Sequence, residues 1–225
     1  MRYLLALLLV SPASGQLIDD FDDPASVVSP AMENVFVRTE NVGPLDALRE
    51  IRLASIAANA DATLTIGDGV MRADVGSLHA INPDIEPHFA AQMWYTFEPA
   101  DFSSGNAFMF DFNSVVGQPD FVRIIIYDGS GHSFVAEYRP IPERGHTAVF
   151  PFDTFLRRNG QRWPINFETI QGADVSIYAR RSHDPNHHWA VEIDRIYVAT
   201  VPEPEGLFLF LFTLFWRRRT CERSC

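Results

Sequence analysis

The chain of 225 residues contains no lysine: its 18 basic residues are all arginine, set against 29 acids, for a formal net charge of −11 at pH 7. A surface of that sign repels phosphate backbones and anionic lipid headgroups, so nucleic acid is excluded as a partner. Cysteine is almost as scarce. Its two copies, Cys221 and Cys225, stand at the extreme C-terminus, which leaves the body without a disulfide framework, a thiolate metal site or a cysteine nucleophile. That body must be held together by packing alone. No apolar run reaches the roughly twenty residues that a helix needs to cross a hydrocarbon core. A nucleophile elbow, a phosphate-cradling glycine loop and zinc-site spacing are also missing. The histidines His183, His187 and His188 sit in a polar, turn-rich stretch instead.

What is present is a series of short blocks in which β-branched and aromatic residues alternate with polar ones, separated by Gly, Pro, Asp and Asn. The blocks fall at residues 17–21, 34–39, 49–56, 62–66, 70–74, 88–97, 107–112, 121–128, 133–138, 147–150, 174–179 and 189–198. This is the signature of an antiparallel all-β sandwich or barrel. Gly67-Asp68-Gly69 and Asp128-Gly129-Ser130-Gly131 supply the positive φ that tight hairpin turns demand. Helical turns are expected only at 152–157 and 167–170. Residues 16–200 are of a length for one domain with a proper core.

The two ends have a different character. Met1-Arg2-Tyr3, the apolar residues 4–10 and the small residues Ala13, Ser14 and Gly15 have the form of a secretory signal peptide, with Gln16 as the first mature residue. At the other end Val201-Pro202-Glu203-Pro204 precedes an apolar segment at 207–216 and the cluster Arg217-Arg218-Arg219. The prolines keep the first part extended. The apolar segment partitions into a bilayer, and the arginines hold the end on the cytoplasmic side. Residues 201–225 therefore read as a sorting tail.

That order of Pro-Glu-Pro, apolar segment and arginine cluster resembles the PEP-CTERM signal of Gram-negative bacteria. The resemblance implies an exosortase-type sorting protease as partner and transient contact with the inner membrane through the tail. It further implies export through that membrane to the cell surface or extracellular matrix, among extracellular polysaccharide. Leu17-Ile18-Asp19-Asp20-Phe21-Asp22 and the block from Trp189 to Val198 resemble the first and last strands of jelly-roll, galactose-binding-like modules. The segment 43–51, ending Leu48-Arg49-Glu50-Ile51, is similar to a strand of the same class. A jelly-roll sandwich and glycan binding without catalysis are what this second resemblance implies.

Candidate residues follow from the alternation. In 88–97 one face carries Phe89, Ala91, Met93, Tyr95 and Phe97, leaving Trp94 on the other. Phe108, Phe110 and Phe112 point inward and Asp111 outward; Val122, Ile124 and Ile126 point inward, with Arg123 and Tyr127 outward. Should these three strands form a meander, Trp94, Asp111, Arg123 and Tyr127 share a face suited to a sugar, with flat aromatic surface beside charged hydrogen-bonding groups. The alternative is a structural Arg123–Asp111 ion pair with Trp94 packed under a loop. The acidic opening suggests a structural calcium held by Asp20, Asp22 and Asp194, calcium being a cation that gathers carboxylate and carbonyl oxygens. No other cofactor is expected. Glu192 and Asp194 share a strand face, the one arrangement that invites a glycosidase reading; yet Tyr197 stands where the laminarinase-like Glu-x-Asp-x-x-Glu pattern has its second glutamate, so the acid/base partner is missing. A purely structural surface protein is the third alternative.

Overall fold

A computed structural model describes residues 16–30, 35–56, 58–59, 61–76, 79–80, 88–117, 119–139, 141, 145–157, 164–180 and 188–201. Residues 1–15, expected as a leader, residues 202–225 of the expected sorting tail, His183 and His187 lie outside these residues, and among those described no helix is long and apolar enough to cross a membrane.

Among the described residues sixteen strands follow one another: β1 (Gln16–Asp19), β2 (Ala25–Pro30), β3 (Val35–Val42), β4 (Ala47–Ile56), β5 (Ala58–Asn59), β6 (Asp61–Gly67), β7 (Val70–Val75) and β8 (His79–Ala80), then β9 (His88–Ala100), β10 (Ala107–Val116), β11 (Phe121–Asp128), β12 (Ser133–Tyr138), β13 (His146–Pro151), β14 (Leu156–Arg157), β15 (Ile170–Arg180) and β16 (Trp189–Ala199). Two seven-stranded antiparallel sheets result. The first runs β13-β10-β16-β7-β6-β2, with β1 also on β16; the second runs β14-β12-β11-β15-β9-β4-β3. β5 and β8 pair separately. The chain passes repeatedly from one sheet to the other, and the fold is a two-sheet jelly-roll sandwich. The helical turns expected at 152–157 and 167–170 are 3-10 turns at Phe152–Thr154 and Phe167–Thr169.

Alternation builds the core as the sequence predicts. Phe108, Phe110 and Phe112 of β10 and Val191, Ile193, Ile196 and Val198 of β16 line the inner face of the first sheet. Met93 and Tyr95 of β9, Val122, Ile124 and Ile126 of β11, and Ala173, Val175 and Ile177 of β15 line that of the second. Each large apolar side chain so buried contributes about 1.5–3 kcal/mol. One end of the core is closed by edge-on phenylalanines, Phe97 on Phe102 and Phe102 on Phe108, with centroids 6.0 and 5.7 Å apart. Both glycine-rich turns are hairpin turns, joining β6 to β7 and β11 to β12.

Strand β1 is tied in by charge as well as by pairing. β1 and β7 share one edge of β16, β7 beside Trp189 to Ile193 and β1 beside Ile196 to Val198. At the end of β1, Asp19 turns inward. Its carboxylate accepts from Arg49 Nη1 at 2.6 Å, the Tyr95 hydroxyl at 2.8 Å and the Phe21 N–H at 2.8 Å. Phe21 takes φ 61° to make that turn. Arg49 Nη2 donates to the Asp23 carbonyl, while its Nε is buried without a partner. Burial pushes the Asp19 carboxyl above its ordinary value against the pull of Arg49, and drives the Tyr95 hydroxyl well above its own. A side chain from the first sheet is thus locked to two from the second.

The expected meander does not form. β9 and β11 lie in the second sheet with β15 between them, whereas β10 lies in the first between β13 and β16. Residues 101–106 join β9 to β10. That is a connection long enough to cross the roughly 10 Å between stacked sheets, unlike the two-residue turns that force neighbours to pair. β2, which ends on Pro30, and the two-residue strands β5, β8 and β14 have no periodic block in the sequence.

Candidate binding face

The outer face of the second sheet assembles from rows of directly opposed residues. Glu50, Trp94, Asp174 and Ile125 form one row across β4, β9, β15 and β11; Arg52, Gln92, Ser176 and Arg123 form the next. On the other side of the Trp94 row come Leu48, Thr96, Gly172 and Tyr127. Since β15 has only glycine in that last row, the sheet has a gap between Thr96 and Tyr127.

The gap is the floor of a trough of about 480 Å³, lined by Trp94, Tyr95, Thr96, Phe97, Tyr127, Gln171, Gly172 and Ala173. Trp94 stands at one wall and Tyr127 at the other, two strands across and two residues along, or about 12 Å apart at the backbone. Gly172 is required there: a Cβ would lie 2.8 Å from the Tyr95 carbonyl oxygen on β9. Next to it the strand bulges. Tyr127 and Asp128 face Gly172 and Ile170, so Gln171 is the extra residue opposite β11, and a bulge re-aims a side chain. The half-buried Gln171 accordingly joins Gly172 in lining the trough.

Trp94 is held from the side away from the trough. The Arg52 guanidinium lies 4.0 Å from its ring centroid. A relay fixes that guanidinium: Arg52 Nε donates to Gln92 Oε1, Gln92 Nε2 to the Ser176 hydroxyl at 3.2 Å, and the Ser176 hydroxyl to Asp174 Oδ1 at 2.8 Å. Asp174 is only 7 % exposed. Burial pushes its carboxyl above the ordinary value, while Ser176, the Trp94 indole and the guanidinia of Arg52 and Arg123 pull it back. The indole N–H faces Asp174 without meeting it in full hydrogen-bond geometry.

Arg123 is engaged elsewhere on this face. It donates to Glu137 Oε1 through Nη2 at 2.7 Å and to the Tyr178 hydroxyl at 3.3 Å; Arg139 donates to the other Glu137 oxygen at 2.9 Å. Burial works to raise the Glu137 carboxyl, but the two guanidinia hold it below its usual range. Three of the four residues expected to share a face, Trp94, Arg123 and Tyr127, therefore do so.

Asp111 does not. It lies on the outer face of the opposite sheet, where it accepts from Arg195 Nε, from the Thr147 hydroxyl at 2.7 Å and from the Tyr197 hydroxyl at 3.3 Å. The structural alternative fails on the same point, since the partners of Arg123 are Glu137 and Tyr178. Glu192, one of the two acids of the glycosidase reading, also lies on that opposite sheet, ion-paired with Arg72 at 2.9 Å and accepting from Asn113 at 3.4 Å. Asp194 is the extra residue of a bulge against β10 and keeps a buried, unpartnered Oδ1.

Among the described residues no three His, Cys, Asp or Glu side chains are arranged to hold a metal. Asp20 instead accepts from the Asp22 N–H at 3.4 Å, and the acid of this stretch that enters the core, Asp19, faces a guanidinium. Of the sorting signal, Val201 alone is described: its N–H donates to Asn106 Oδ1 at 2.7 Å and its carbonyl accepts from Asn106 Nδ2 at 2.8 Å. The residues not anticipated from sequence are Gln92, Gln171, Gly172, Asp174 and Ser176. For those on β15 the signal was the string Gly172-Ala173-Asp174-Val175-Ser176-Ile177, where small and polar residues alternate with core ones in a strand four positions longer at its start than the periodic block suggested.

No protein-family model matches the chain, and no curated protein matches it in sequence. Among solved structures it is similar to the family 11 carbohydrate-binding module of a cellulosomal cellulase of Clostridium thermocellum, at 14% identity and a TM-score of 0.43, over 86% of this chain and 99% of that one. The same module in complex with a beta-1,3-1,4-mixed-linked tetrasaccharide gives 15% identity and 0.43, over 84% and 98%. A mutant of a family 29 carbohydrate-binding module gives 9% and 0.31, over 80% and 99%. Likenesses this distant leave the function to be argued from the chain's own residues.

Proposed function

We propose that the protein is an exported, non-catalytic glycan-binding protein whose ligand lies in the trough between Trp94 and Tyr127. The observation that carries this reading is the Trp94 wall. One side of the indole is covered by Arg52 and the other faces the trough, so a flat apolar surface is offered to the C–H face of a pyranose ring and held in place beforehand. Thr96 and Gln171 supply hydrogen-bonding groups at the same opening. Hydrolysis needs two carboxyl groups flanking the glycosidic bond, and the trough's lining contains no carboxylate. The leader at 1–15 and the PEP-CTERM-like tail at 201–225 support delivery to the cell surface or matrix by an exosortase-type protease, where extracellular polysaccharide would be the partner.

The test is a titration of soluble polysaccharides into the wild type and Trp94→Ala, with circular dichroism to confirm that both are folded. Binding by the wild type that Trp94→Ala loses supports the trough. Equal binding by the two, or binding by neither, removes it.

A further inference from the structure

The trough also carries information about which sugars it admits. Every residue lining it is uncharged. Four arginines of this face are turned to other tasks: Arg38, in the Trp94 row, pairs with Glu50, Arg52 lies against Trp94 beside Gln92 rather than Thr96, and Arg123 and Arg139 converge on Glu137. Two carboxylates flank Trp94 in its own row, Asp174 on β15, itself buried, and Glu50 on β4, paired with Arg38 at 2.8 Å. A sugar carboxylate or sulfate placed here would lose water without gaining a counter-charge, a cost that grows steeply with burial. The bulge residue Gln171 lines the trough, and its side chain is an amide, which both donates and accepts and so suits the hydroxyl of a neutral sugar.

Resting on the glycan-binding reading, we propose that the trough selects uncharged pyranose units over uronic or sulfated ones, and that Gln171 is the specificity-determining residue that reads the ring hydroxyls. The sheet bulge is then a recognition device. With Gln171 in regular alternation its side chain would face the core; the extra residue is what lets it and Gly172 both border the ligand.

The full chain is titrated by calorimetry at physiological ionic strength with cellohexaose, laminarihexaose and xylohexaose as neutral probes and hexagalacturonate as the acidic one. At least one neutral hexaose should bind tenfold or more tightly than hexagalacturonate. Gln171→Ala should lose about tenfold on that neutral hexaose while keeping its circular dichroism spectrum, and Gln171→Lys should gain hexagalacturonate binding. Hexagalacturonate bound as tightly as any neutral probe, and lost with Trp94→Ala, would overturn the charge selection and leave the glycan-binding reading standing. Unchanged affinity in Gln171→Ala would overturn the role of Gln171. Failure of the wild type to bind all four probes would overturn the selection and the reading together.

Discussion

Arg49 Nη1 and Asp19 Oδ2 meet at 2.6 Å between the two sheets with neither side chain exposed to solvent. A buried pair of this kind is strongly coupled. Its attraction only balances the loss of hydration, but removing one member strands the other charge in the core. Asp19→Asn should therefore lower the unfolding free energy by about 3–5 kcal/mol, read by urea denaturation. Replacing both, Asp19→Leu with Arg49→Met, should recover most of that loss. A double variant no more stable than the single one would mean that the pair, and not its charge balance, holds β1 in place.

The contact between Arg52 and Trp94 invites a milder change. Its strength at a half-exposed site is about 1 kcal/mol, so Arg52→Ala should weaken glycan binding roughly fivefold. The melting temperature should move little. An Arg52→Ala affinity equal to the wild type's would show that Trp94 is held by its strand and Asp174 alone.

Asp174 gives a pH signature. Its folded-state pKa is raised by burial, so the native state binds a proton more tightly than the unfolded chain does. Stability contributed by the protonated form is present below the ordinary aspartate value and is lost as pH rises through the raised one. The melting temperature of Asp174→Asn should gain on the wild type across that interval and keep its advantage to neutral pH. Parallel curves from pH 3 to 7 would contradict the burial of a carboxylate at this position.

Processing is read by intact mass. Protein recovered from the surface of its native cell should begin at Gln16 and lack the arginine cluster at 217–219. Recovery of the uncut chain from the cytoplasm would end the export proposal.

The alternation of side chains along β9, β10, β11, β15 and β16 was legible without coordinates, because a strand with one face in a core must repeat every two residues. In β9, β10 and β11 it placed Met93, Phe108 and Ile124 inside and Trp94, Arg123 and Tyr127 outside, and the glycine turns marked two hairpins. Pairing was not legible. Which strands lie side by side depends on long-range contacts and on loops that cross from sheet to sheet, and these leave no period in the chain; hence Asp111 was assigned to a face it does not share.

Local chemistry thus determined the class of fold and the outward residues of each strand, since periodicity and turn geometry act over a few neighbours. The tertiary structure alone decided that β15 would come between β9 and β11, bringing Gly172 opposite Thr96 and Tyr127 and opening the trough. It alone decided that Asp19 would find Arg49 and Tyr95, because a buried charge is satisfied by whichever partner the packed sheets bring within reach, however far away in sequence.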